Sequence, residues 1–198
     1  MAHSDAVNPE RRRFLTVATS AVGGAGVVMG AIPFISAFQP SERARAVGGP
    51  VEIDISGLEP GQRIIDMWRG QPVWILRRDE ASIAALAGLA DKLADPLSEV
   101  ASQQPLYARN VHRSIRPEVL VLLGVCTHLG CSPNYLPQGA ADRGADWPGG
   151  FFCPCHGSAF DLAGRVFKAV PAPTNMVVPP HRYATDTRLV VGEDQETA

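Results

Sequence analysis

The sequence predicts a small β-rich head with one helix and two chemistry-bearing loops, preceded by a single membrane-spanning helix. Three observations predict it. Residues 14–39 carry no charged side chain, the chain beyond residue 50 breaks into short apolar runs separated by turn residues, and all four cysteines fall between Cys126 and Cys155. Short apolar runs punctuated by Gly, Pro, Asn and Asp mark strands rather than long helices.

The 198 residues suffice for one ordinary domain with an appendage. A net charge of −2 and the lack of any Lys/Arg stripe exclude nucleic acid as a partner. Residues 1–13 form an n-region ending in Arg11, Arg12 and Arg13. The apolar segment 14–39, at about 1.5 Å per residue, crosses a hydrocarbon core of about 30 Å with some tilt. Pro33 predicts a tolerated kink, and Gly26 with Gly30 would let another helix approach closely. The arginines place the N-terminus in the cytoplasm and everything after Phe38 outside. Ala44-Arg45-Ala46 has the form of a cleavage site, but the apolar stretch far exceeds the roughly 7–15 residues of a signal core, so an uncleaved anchor is expected. Residues 40–49 (PSERARAVGG) are small and polar, as a mobile linker would be.

Residues 50–198 make the head. VEIDISGL alternates as a half-buried strand does; RIIDMW and QPVWILRR read as two strands joined at Arg69-Gly70. Asp79 caps a helix expected to run to about Leu93, before Pro96. Residues 97–117 read as irregular. EVLVLLGV is a buried strand entering Cys126, and GRVFKAV and MVVPPHRYATDTRLVVGED supply closing strands with a turn near Thr185-Asp186. Trp147-Pro148-Gly149-Gly150 sets a turn, Met67 and Trp68 belong to the core, and His3, His112 and His181 are surface residues.

The two loops are CTHLGC (126–131) and CPCHGS (153–158), with a cluster-binding region expected over about 120–175. A four-thiolate site would need Cys153 and Cys155 to grip one metal across a single proline, where chelating knuckles leave two to four residues. Ferredoxin spacings are absent. A zinc site of Cys126, Cys131, Cys153 and His156 would leave Cys155 and His128 without a use. The third assignment takes Cys126 and His128 from one loop and Cys153 and His156 from the other. It leaves Cys131 and Cys155 for a disulfide on the oxidising side of the membrane. Only this one uses every cysteine and both loop histidines.

With these residues the chain resembles the Rieske iron–sulfur proteins, in particular those of the quinol–cytochrome c reductase (cytochrome bc) complex of bacteria. The resemblance rests on C-x-H-x-x-C paired with C-x-C-H-x-S, and extends to the anchor, the linker and a proline-rich loop, PAPTN (171–175). It implies a head of small antiparallel sheets and one two-iron two-sulfur cluster, with Cys126 and Cys153 on one iron and His128 and His156 on the other. It implies that His156 meets the quinol, that Ser158 hydrogen-bonds a bridging sulfide, and that Leu129 and Pro171–Pro173 form an apolar collar. Phe160 departs from the tyrosine that many relatives carry there, whose hydroxyl donates to a ligand sulfur, so a lower potential is expected. Val170 stands where relatives often have glycine. Arg11-Arg12-x-Phe14-Leu15 resembles a twin-arginine export signal, although Glu10 and Thr16 depart from its usual flanks. That route carries folded proteins and suits a cofactor inserted in the cytoplasm.

Charge explains why imidazole is used. Four thiolates would make the oxidised cluster a dianion, whereas two thiolates and two neutral imidazoles leave it neutral and easier to reduce. The potential rises from about −400 mV into the roughly −150 to +300 mV range. Ferric charge also lowers the pKa of the free imidazole nitrogen, so electron and proton uptake are coupled. The expected function is electron transfer from quinol to a c-type cytochrome, one electron with one proton, in a proton-translocating oxidoreductase. Its expected partners are cytochrome b and c-type cytochrome subunits in a dimeric complex of the bacterial inner membrane, with the head in the periplasm. The alternative is the small Rieske subunit of an arsenite oxidase, whose motif generally differs at the position of Gly157.

Overall fold

The computed structural model describes residues 8–41 and 48–194, in two compact units, Met1–Ala46 and Val47–Ala198. His3, the Ala44–Ala46 site and the middle of the expected linker, 42–47, lie outside the described residues.

The first unit holds α1 (Pro9–Ala37), a 29-residue helix long and apolar enough to cross a membrane. It starts five residues before the apolar run because Asn8 caps it, accepting from the backbone N–H of Glu10 at 3.0 Å and of Arg11 at 3.3 Å. Pro9 occupies the first turn, where its missing N–H costs nothing. The helix passes through Pro33 without a break and buries none of its own side chains, leaving Phe14, Val22 and Phe34 for an apolar surround.

The second unit contains β1 (Val51–Asp54), β2 (Arg63–Trp68), β3 (Gln71–Arg77), α2 (Glu80–Ala85), β4 (Val119–Leu123), β5 (Asn134–Leu136), β6 (Gly150–Phe152), β7 (Ala159–Phe160), β8 (His181–Thr185) and β9 (Arg188–Val191). They form three antiparallel three-stranded sheets, ordered β1-β9-β8, β2-β3-β4 and β5-β6-β7. The β2–β3 hairpin closes on Arg69 and Gly70, both with positive φ, which suits the right-handed twist of the strands.

In the second sheet β3 and β4 are buried on both faces, which is why they read as continuous apolar runs. Val73, Ile75, Val119, Val121 and Leu123 point into one core with Ile53, Leu58, Trp68 and Leu189. Trp74, Leu76, Leu120 and Leu122 point into the other with Phe151, Phe160, Cys126 and Cys153. Period-two alternation thus makes one sheet the wall between the scaffold and the site. Met67 corrects its expectation: it is exposed on edge strand β2, on the face opposite buried Trp68.

The helix after Asp79 also differs from the expected span. Asp79 caps it, accepting from the Ser82 N–H at 2.7 Å, but it is α-helical only to Ala85 and continues as a 3₁₀ helix, Leu86–Lys92. Arg165 takes the Leu86 carbonyl at 2.8 Å, which an α-helix would give to the Ala90 N–H, and Lys168 takes the carbonyls of Asp91 and Lys92 at the far end. GRVFKAV forms no strand. Its contacts are single bridges, Val166 to Phe160 and Phe167 to Leu93, because the N–H of Arg165 goes to the Asp161 carboxylate and that of Val166 to Asn175 Oδ1. MVVPP likewise forms no strand.

Candidate metal centre

The first loop leaves the end of β4, and the second joins β6 to β7. Both close by the same pattern. In the first, the Cys126 N–H donates to the Cys131 carbonyl (2.7 Å) and the Gly130 N–H to the Cys126 carbonyl (3.0 Å). In the second, the Cys153 N–H donates to the Ser158 carbonyl (2.8 Å) and the Gly157 N–H to the Cys153 carbonyl (3.0 Å). Gly130 and Gly157 take φ of 83° and 78°, left-handed values that other residues disfavour. Each loop therefore puts a cysteine at its closed base and a histidine further out.

This geometry separates the four cysteines as the third assignment expected. Cys131 and Cys155 form a disulfide between the loops, 24 residues apart in sequence. A cross-link closing a loop of that size is worth about 3 kcal/mol against the unfolded chain. Cys126 and Cys153 are free thiols, both buried. The sulfurs of Cys131, Cys153 and Cys155 lie within 4.8 Å of one another, but two of these are spent in the disulfide, so this trio cannot be a ligand set. Burial pushes the Cys126 thiol pKa up, opposed by donors from the His128 backbone and the Ser158 hydroxyl.

His128 and His156 stand side by side, ring centroids 4.8 Å apart and planes at 89°. His128 is half-buried, and its Nδ1 is buried with no hydrogen-bond partner among the described residues. His156 is exposed. Two buried thiols and two imidazoles are thus gathered in one place.

The proline-rich segment is tied to both loops. The Ala172 N–H donates to Ser158 Oγ at 3.0 Å, and Thr127 Oγ1 donates to the Thr174 carbonyl at 2.7 Å. Pro171 and Pro173 are exposed, and Leu129 is 70% exposed, so the proline segment and the first loop both present apolar surface. Behind the loops stands Trp74. A Cβ on Gly124 would overlap its indole, its ring lies 5.3 Å from that of Phe151, and the Arg63 guanidinium covers it at 4.3 Å. Phe160 is fully buried in the same core.

Two histidines outside the loops behave differently from each other. His112 is half-buried. His181 corrects its expectation: it is 1% exposed, with Nδ1 2.8 Å from the Pro179 carbonyl and its ring edge-on to Tyr107, whose hydroxyl accepts the His181 backbone N–H. Sequence reasoning also missed Thr127 and three buried arginines, Arg78, Arg113 and Arg165. Nothing in their sequence context distinguishes them from surface charges.

Comparison with known proteins places this geometry. Residues 92–182 match the family model described as the Rieske [2Fe-2S] domain, and residues 1–41 match "Ubiquitinol-cytochrome C reductase Fe-S subunit TAT signal". The chain is 56% identical over 193 residues to the ubiquinol-cytochrome c reductase iron-sulfur subunit of Allochromatium vinosum, covering 97% of this chain and 93% of that one. It is 42% identical over 193 residues to the corresponding subunit of Blastochloris viridis, covering 97% and 98%. Among solved structures, a chain of a hyperthermophilic respiratory Complex III matches at 24% identity and a TM-score of 0.49, covering 88% of this chain and 98% of that one. The chain belongs to the Rieske iron–sulfur subunits of ubiquinol–cytochrome c reductase. The arsenite oxidase alternative gains no support from these relatives. The twin-arginine match and α1 together fit a membrane-anchored subunit of a bacterial complex.

Membership brings one Rieske two-iron two-sulfur cluster, and the residues present fit it. An orphaned, buried imidazole nitrogen is costly unless something accepts its lone pair. His128 Nδ1 is such an atom, set beside two buried thiols held out of the disulfide.

Proposed function

We propose that this chain takes one electron and one proton from quinol and passes the electron to a c-type cytochrome, as the mobile subunit of a respiratory quinol–cytochrome c reductase. The observation that carries the reading is the gathering of two buried thiols and two imidazoles at one site with His156 exposed. Cys126 and Cys153 would hold one iron and His128 and His156 the other. When bound, the cluster supplies a one-electron acceptor that is neutral when oxidised.

The chain's own residues supply the rest. His156 offers its outward ring nitrogen to the quinol and takes the proton there. Leu129, Pro171 and Pro173 give the quinol ring an apolar seat and keep water from it. Ser158, whose oxygen already accepts the Ala172 N–H, has its hydroxyl proton left to donate toward sulfur. Arg11–Arg13 support a cytoplasmic N-terminus, with α1 as a single-pass anchor and the head in the periplasm. Cytochrome b and c-type cytochrome subunits are its partners in a dimeric complex, and residues 40–49 let the head move between them.

A redox titration of the full-length subunit across pH, followed by EPR, tests the reading. Above the pKa of the oxidised centre, reduction takes up a proton, so the midpoint should fall by about 59 mV per pH unit for each proton coupled. A colourless, zinc-binding protein, or a midpoint independent of pH, would sink it.

A further inference from the structure

Three buried arginines have no part in the function proposed above. Arg78, Arg113 and Arg165 are 3%, 0% and 1% exposed. Arg165 is ion-paired, its Nη2 2.7 Å from Oδ2 of a fully buried Asp161. The other two hydrogen-bond only neutral groups among the described residues. Arg78 donates to the carbonyls of His112, Pro117 and Leu162 and to Ser114 Oγ. Arg113 donates to the carbonyls of Gln103, Ala163 and Gly164 and to Gln104 Oε1.

The acids acting on them are few. Asp161 acts on both, Asp95 on Arg113 and Glu118 on Arg78, and the last two acids are only half-buried. Burial lowers both guanidinium pKa values to about 10, which leaves them charged near neutrality. Among the described residues, three buried cations therefore face one buried anion. A buried charge without a hydrogen-bonded counter-ion carries a large desolvation cost, so its retention calls for a use.

Their position suggests one. The carbonyls they grip, Leu162 to Gly164, lie just beyond β7, the strand that leaves the second loop. A Cβ on Gly164 would meet Arg113 Nη1 at 3.2 Å and Leu122 Cδ1 at 2.9 Å, so the guanidinium and a core side chain of β4, the strand that enters the first loop, both border Gly164. Leu122, Leu162 and Ala163 share one apolar cluster with Cys126 and Cys153. Charge in such a medium acts over a longer range than at the surface and is little screened by salt.

We propose that Arg78 and Arg113 are positioning residues which fix the chain behind both loops and, through their uncompensated charge, raise the reduction potential of the centre. The proposal rests on the two-iron reading above. The electron comes from quinol and adds one negative charge to the site, which a buried cation favours.

The test is the midpoint potential of variants of the full-length subunit in the purified complex. Arg113→Met removes the charge and keeps much of the bulk, and should lower the midpoint. Arg113→Lys keeps the charge but loses the fork of hydrogen bonds, and should stay closer to the parent value. Asp161→Asn removes the buried anion and should raise the midpoint, the opposite of what a loosened second loop would do. Both shifts should persist at high salt. An unchanged or raised midpoint in Arg113→Met, or an unchanged or lowered one in Asp161→Asn, with a native EPR signature, overturns the proposal. Where one variant fails to assemble, the sign of the other decides. Absence of the EPR signal from the unmodified subunit would instead remove the two-iron reading, so the two failures are separable.

Discussion

Ser158→Ala separates two jobs of one hydroxyl. In the folded head Ser158 Oγ accepts the Ala172 N–H at 3.0 Å, and both residues are buried. Removing the oxygen strands that N–H, at a cost of about 1–3 kcal/mol. For a domain of this size, each kcal/mol corresponds to roughly 2–4 °C in melting temperature. The same hydroxyl, with its proton free, pulls the Cys126 pKa down against burial, so it favours negative charge on sulfur. A donor of that kind strengthens as an electron is added. A differential of about 1 kcal/mol between the two redox states corresponds to about 40 mV. Ser158→Ala should therefore both melt earlier and show a midpoint lower by about that much, whereas Ser158→Thr should recover most of both. Thermal melts followed by cluster absorbance, with an EPR titration on the same sample, read the two effects separately. An intact cluster with the parental midpoint in Ser158→Ala would refute the redox half of the reasoning, whatever happens to the melting temperature.

Phe160→Tyr should move the midpoint the other way, up by about 40 mV, if a hydroxyl there donates to a ligand sulfur as in relatives; an unchanged or lower value in an intact cluster would count against it. Gly124→Ala forces a methyl into the Trp74 indole, which is held between Phe151 and Arg63, and should cost about 1–3 kcal/mol in chemical denaturation, partly restored by adding Trp74→Phe. A neutral Gly124→Ala would show that the indole is free to withdraw. Burial holds the His181 pKa below its ordinary value, so the unfolded chain takes up the proton first as pH falls. The stability from a neutral His181 is full above about pH 6.5 and is lost as pH drops through the folded value. His181→Gln should flatten the acid side of the stability profile, and an unaltered acid slope would discount the residue.

The parts legible in the sequence were those whose signal is local. The charge-free run of residues 14–39 announced a helix long and apolar enough to span a membrane, and β3 and β4 were visible because both their faces are buried. The pairing of Cys131 with Cys155 followed from counting which residues were left over. The hidden parts depend on distant partners. β5, β6 and β7 are two or three residues long, too short for any period to register. The helix after Asp79 stops being α-helical because Arg165, 79 residues away, claims a carbonyl. His181 is buried by Tyr107, 74 residues earlier, and nothing near His181 foretells it. Arginine buries against carbonyls only once a fold supplies them in the right fork, so Arg78 and Arg113 read as surface until the structure is seen.

The shared closure of the loops explains how one site is both sheltered and reachable. In each loop the first cysteine makes both closing hydrogen bonds, so its sulfur is fixed at the base and buried. The histidine follows two residues later in one loop and three later in the other, beyond the closure, where a ring can face outward. Neither loop can move alone. The disulfide joins them across the tip, the Thr127 and Ser158 hydroxyls tie them to one proline segment, and Trp74 touches the base of each, at Gly124 and Phe151. Electron transfer is favoured when the surroundings of the accepting group need not reorganise, and a site fastened on three sides meets that requirement while His156 stays exposed.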